Sequence, residues 1–234
     1  MLKGGSAVIY ELVEVSSIII FSLSALLSIV LTKNYLGKRK TSMAMWAAGL
    51  WMFSVSAALE AAFAAGIFSE TLIDLYLFLV AFLVEILALG SVFLSGNKLS
   101  GTGYLIYVLA TALFLAYSFS VSTVGNIIVG GVVYGEIPPI VIISSSLATF
   151  PAALILVISS IKSYRKTRDS KLLSIVAGVI LVSIAGTLYI ASFPALLYYA
   201  EFGGILLLWF GFLDFSRLTG EETDSKEAKA NVSS

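Results

Sequence analysis

Five acidic side chains fall within or at the edge of long apolar runs: Glu14, Glu60, Asp74, Glu85 and Glu201. An ionisable residue among lipid tails is costly and marks a candidate site by default. No Lys, Arg or His stands beside them in those runs. Each carboxyl must therefore hold a proton, hold a cation, or bond to neutral hydroxyls. The chemistry on offer is proton or cation binding, or hydrogen-bonded glue between helices.

Helical spacing decides which of them could act together. Asp74 and Glu85 are 11 residues apart. At about 100° and about 1.5 Å per residue they share a face within roughly 20° and stand about 16 Å apart along the axis. Two carboxyls stacked in this way could relay protons. Polar or small residues recur on one side of other runs: Glu14, Ser17, Ser24 and Ser28; Gly49, Ser56 and Glu60; Tyr198, Glu201, Gly204 and Gly211. The pattern predicts an outward-facing polar pocket floored by Glu85, with Glu201, Glu60, Glu14 and Asp74 around it. Ser17, Ser56 and Tyr198 would support its polar face.

The elements that would position these residues are transmembrane helices. Of 234 residues, 59% are hydrophobic and only 12% charged, against about a quarter charged in a soluble domain. A span takes about 20 mostly apolar residues. Seven segments meet that length, at 9–32, 42–65, 71–95, 102–121, 138–162, 171–191 and 195–216. The expected fold is an all-α integral membrane bundle of seven helices over 1–218, followed by a polar tail at 219–234. The first run, interrupted by Glu11 and Glu14, reads as a retained helix rather than a signal peptide. Residues 121–136 hold two β-rich runs around Gly130-Gly131, a hairpin or an irregular loop.

Thirteen of the fourteen Lys and Arg residues lie after helices one, three, five and seven, and Lys3 alone precedes helix one. The positive-inside rule then sets the N-terminus outside and the C-terminus in the cytoplasm of a multi-pass cell-membrane protein. Helices two and six align weakly, AGLWMFSVSAAL at 48–59 with AGVILVSIAGTL at 177–188, a sign of a parallel three-helix duplication.

The chain has no Cys, no His and no Gln. Disulfides, thiolate chemistry, bis-His haem ligation and Ser-His-Asp catalysis are excluded. Scarce amide residues fit a thermophilic source. Net charge is zero, which gives no footprint for nucleic acid.

In architecture the chain resembles the microbial rhodopsins. Asp74 and Glu85 are similar to the acceptor and donor carboxylates those pumps carry on helix three, and AEFGGILLL at 200–208 is similar to the segment around their retinal lysine. The resemblance implies a seven-helix proton-handling protein. Position 201 is Glu, however, position 71 is Thr, and helix seven has no Lys. No retinal Schiff base can form, and no cofactor is expected.

Two readings follow. The first is a non-enzymatic membrane protein that binds a small ligand, proton or cation for transport or sensing. The second is a structural or accessory subunit packed against a larger membrane partner, or a homo-oligomer, with no site of its own.

Overall fold

The computed structural model describes residues 3–129, 132–133, 135–167, 171, 173–175, 177–178, 180–181 and 194–212. Helices α1 (Lys3–Lys38), α2 (Thr41–Ala64), α3 (Glu70–Leu94) and α4 (Lys98–Val121) come first. A ladder of β1 (Ile128–Val129) and β2 (Val132–Val133) follows, then α5 (Pro139–Thr167). Helical residues at 171, 173–175, 177–178 and 180–181 make up α6, and α7 is Pro194–Phe212. The tail at 219–234 and the Ser183 of the apparent repeat lie outside the described residues.

Five helices are long and apolar enough to cross a membrane, namely those containing Glu14–Gly37, Thr41–Ala64, Glu70–Leu94, Leu99–Val121 and Pro139–Lys162. A shorter apolar stretch is Tyr199–Gly211 in α7. Length and apolarity of this kind are those of a multi-pass membrane protein.

The turns are written in local chemistry. Gly66, at φ 82°, ends α2. Ile67 N–H reaches back to Ala62 O at 2.8 Å, the six-to-one bond of a Schellman ending. Ser69 then caps α3 by accepting from Leu72 N–H at 3.3 Å. Gly96, at φ 77°, ends α3, and the Asn97 side chain accepts from Leu99 N–H at 3.1 Å. That cap explains why α4 begins at Lys98, earlier than apolarity alone predicts. The basic stretch expected as the first loop is instead mostly helix. α1 runs to Lys38, because nothing before Arg39, at φ 47°, stops it.

α3 packs against α2, α4 and α5, while α1 packs against both α2 and α7. One apolar core joins Ile20 and Leu27 of α1, Leu50 and Phe53 of α2, Leu87 of α3 and Ile205 of α7. The helices approach closely at glycines, as membrane helices do. A Cβ on Gly49 would lie 2.7 Å from a Leu87 methyl, and one on Gly178 would lie 2.8 Å from Gly204 O. The β-ladder pairs Ile128 with Val133 and Val129 with Val132, antiparallel, the first of the two alternatives that the sequence leaves open for residues 121–136. Val124, Ile127 and Val133 pack onto Phe63, Ile73, Tyr76 and Val141. The ladder region thus caps the α2–α3 end of the bundle.

Candidate functional site

Glu60 stands one turn before the end of α2, and Glu201 lies in the second turn of α7. Only 3% of Glu60 and 7% of Glu201 is exposed. The two carboxyls meet within hydrogen-bonding reach. From α3, the Tyr76 hydroxyl donates to Glu60 Oε1 at 2.5 Å. Tyr76 is held in place by an edge-on contact with Phe63, ring centres 5.7 Å apart. Oε2 of Glu60 and Oε2 of Glu201 are both buried and have no donor among the described residues. Ionised carboxyls only accept hydrogen bonds. Two of them in contact, with no basic side chain beside them among the described residues, repel unless at least one is protonated or a cation is held between them. Three helices therefore converge on a buried pair of carboxyls.

Glu85 belongs to a different neighbourhood. It is fully buried in α3, and the Thr111 hydroxyl of α4 donates to its Oε1 at 2.7 Å. Its Oε2 has no donor among the described residues. Tyr104 and Tyr107 of α4 stack with ring centres 5.9 Å apart, both within electrostatic reach of the Glu85 carboxyl. Nine residues separate Tyr76 from Glu85. That spacing is about 13 Å along the axis and about half a rotation, so the two sites sit on opposite faces of α3.

The remaining predicted residues are dispersed. Asp74 is partly buried near the start of α3, with Oδ1 sheltered and unbonded among the described residues. Between Asp74 and Glu85 the shared face carries Leu77, Phe78 and Ala81, none with a side-chain group to pass a proton. Ser17, Ser24 and Ser28 are buried in α1, but Glu14 is exposed. The serines fall within about 40° of one another, whereas Glu14 lies about 60° off that stripe. Ser56 is buried and donates to Met52 O at 3.0 Å, bonding within its own helix. Tyr198 lies in α7, one turn before Glu201, and its side chain is outside the described residues.

Tyr76 and Thr111 are the polar partners that sequence reasoning passed over. Tyr76 sits half a rotation from the Asp74–Glu85 face, so spacing on α3 alone could not nominate it. Thr111 is a lone hydroxyl mid-helix, marked only by its recurrence with Tyr104 and Tyr107 on one side of α4.

The chain matches no protein-family model, no curated protein and no solved structure. The resemblance to microbial rhodopsins rests on residues of helices three and seven alone.

Proposed function

We propose that this chain is a multi-pass protein of the cell membrane that binds and exchanges a proton or small cation at the Glu60–Glu201 pair, for transport or sensing. The N-terminus is outside and the C-terminus in the cytoplasm, a reading supported by the clustering of Lys and Arg at one end of the bundle. In that orientation the pair lies in the outer half, beneath the β-ladder.

The observation that carries the reading is the meeting of two carboxyls from distant parts of the sequence, each more than nine-tenths buried and each with one oxygen lacking a donor among the described residues. Hydrogen-bonded glue would need only one acid and a hydroxyl. A second acid in contact adds repulsion unless it serves to hold a positive occupant.

The test is thermal stability of the purified protein in detergent across pH and a panel of cations, in wild type, Glu60→Gln and Glu201→Gln. A pH- or cation-dependent stabilisation that either substitution abolishes supports the reading. An equally flat response in all three proteins sinks it.

A further inference from the structure

The Thr111 hydroxyl of α4 has one hydrogen and three acceptors around it. Its Oγ1 lies 2.7 Å from Glu85 Oε1 and 3.0 Å from each of Tyr107 O and Val108 O. A hydroxyl donates once and accepts through two lone pairs. The two carbonyls only accept, so a bond to either of them draws on the Thr111 hydrogen. If Glu85 is ionised, that hydrogen goes to Oε1 and the carbonyls receive nothing from Thr111. The carboxylate is then 0% exposed and has a single donor, because Oε2 has none among the described residues. If Oε1 instead carries a proton, it donates to Thr111 Oγ1, and the Thr111 hydrogen is shared between Tyr107 O and Val108 O. Every one of the short contacts is then a hydrogen bond. Oε2 becomes the carbonyl oxygen of a neutral acid, and leaving it without a donor costs far less than leaving a carboxylate so.

We propose that Glu85 is a proton-binding site separate from the outer pair, with Thr111 as the partner that serves both of its charge states. On release, the Oε1 proton passes to water and the Thr111 hydrogen swings from the carbonyls to Oε1. On loading, the two steps reverse. Only one hydroxyl turns about its C–O bond, and no heavy atom has to move, because 2.7 Å suits an O–H···O bond in either direction. A divalent metal is a poor occupant, since such ions take about six or more oxygens and here a single carboxyl supplies the charge. No group of three His, Cys, Asp or Glu residues able to hold a metal is present among the described residues.

The titratable groups on the helices packed against α3 are few. α4 brings Tyr104 and Tyr107, and the Tyr107 hydroxyl donates away from Glu85, to Leu147 O of α5 at 2.6 Å. From α2 the one acid is Glu60, on the far face of α3 and bonded to Tyr76. α5 carries no titratable side chain before Lys162, which is exposed near the helix end. This second site stands or falls independently of the outer pair.

Infrared difference spectroscopy of the full chain in lipid nanodiscs, stepped between acid and alkaline pH, reads protonated-carboxyl C=O bands directly. The expected result is a band component that fades as pH rises, that Glu85→Gln deletes and that Glu60→Gln leaves in place. Thr111→Val keeps the side-chain shape but takes no hydrogen bond from the acid, so the Glu85 component moves to higher wavenumber. Thr111→Ser restores the hydroxyl and returns the component to its wild-type position. The proposal is overturned if Glu85→Gln deletes nothing, or if Thr111→Val leaves the Glu85 component unmoved. A component that persists unchanged from acid to alkaline pH also overturns it, because the proton would then be a fixed part of the packing. So does loss of that component when sodium replaces choline at fixed pH, since the occupant would then be a metal cation. Should Glu85→Gln fail to fold, the displacement in Thr111→Val and its reversal in Thr111→Ser decide alone.

Discussion

Glu60–Glu201 and Glu85 are buried carboxyl sites on opposite faces of one helix, about 13 Å apart along its axis. The outer site brings two acids together and gives them one phenol, Tyr76. The inner site gives a single acid one hydroxyl, from Thr111, with two tyrosines beside it. In the first, two carboxyls share the space, and leaving both uncharged takes two protons. In the second, a single proton on Glu85 leaves the site neutral. Burial is common to both sites; the number of acids that share the space is what differs between them.

The largest effect that could break this comparison comes from placing a cation at each position. Glu85→Lys sets an ammonium in an apolar seam with no acid to pair with. It should cost about 3–5 kcal/mol, enough to remove most folded protein. Glu60→Lys faces Glu201, gives that carboxyl a tethered positive partner, and should cost less than about 2 kcal/mol. The measurement is the yield of monodisperse protein after solubilisation. Equal losses for the two variants would show that the acids of the outer site do not act as a pair.

Much of the frame behind this comparison was legible in the sequence. Seven apolar runs and the breaks between them follow from composition and local propensity, while a ladder in 121–136 was one of two open alternatives. Burial of Glu60, Glu85 and Glu201 follows from their place in those runs. Their partners were not legible. Which helix faces which is settled by packing between segments far apart in the chain, such as those of Glu60 and Glu201, 141 residues apart, and periodicity within one helix carries no such information. One pocket was expected from residues that the structure divides between two faces of α3. Glu14 shows the limit at finer scale, because an angular offset of about 60° separates a buried stripe from an exposed edge.

A double-mutant cycle sharpens the contrast at intermediate magnitude. Glu60→Gln and Glu201→Gln, singly and together, should show an interaction of about 1–2 kcal/mol in reversible SDS titrations, because the acids are in contact. Glu60→Gln combined with Glu85→Gln should be additive within about 0.5 kcal/mol. Additivity in the first cycle would remove the pair as a functional unit. Strong interaction in the second would merge the two sites into one network through α3.

Removing the single donor at each site is the matching smaller test. Tyr76→Phe and Thr111→Val each delete one buried hydroxyl and should each cost about 1–2 kcal/mol, since a buried acceptor is left without its donor. Their side effects should differ. Tyr76→Phe should alter the pH or cation response of the outer pair and leave the Glu85 carbonyl band in place, whereas Thr111→Val should do the reverse. Identical spectral changes in both variants would contradict the separation of the sites.

The smallest effect concerns why Tyr107 does not serve Glu85 although it lies within its reach. α5 contains Pro151, which has no N–H to give to the carbonyl four residues earlier, that of Leu147. The Tyr107 hydroxyl of α4 donates to that carbonyl at 2.6 Å. A sequence-imposed break in one helix is thus satisfied from the next, and the phenol nearest in register to Thr111 is committed away from the acid. Tyr107→Phe should cost about 1 kcal/mol in the wild-type background, because Leu147 O then lacks a partner. In a Pro151→Ala background the helix supplies its own N–H to Leu147 O. The same substitution should there cost less than about half as much, measured by the same SDS titration. If the cost is unchanged when Pro151 is replaced, Tyr107 contributes through Glu85 rather than through α5. The inner site would then hold two phenols and a threonine around one acid, a denser network than the single-donor arrangement contrasted above.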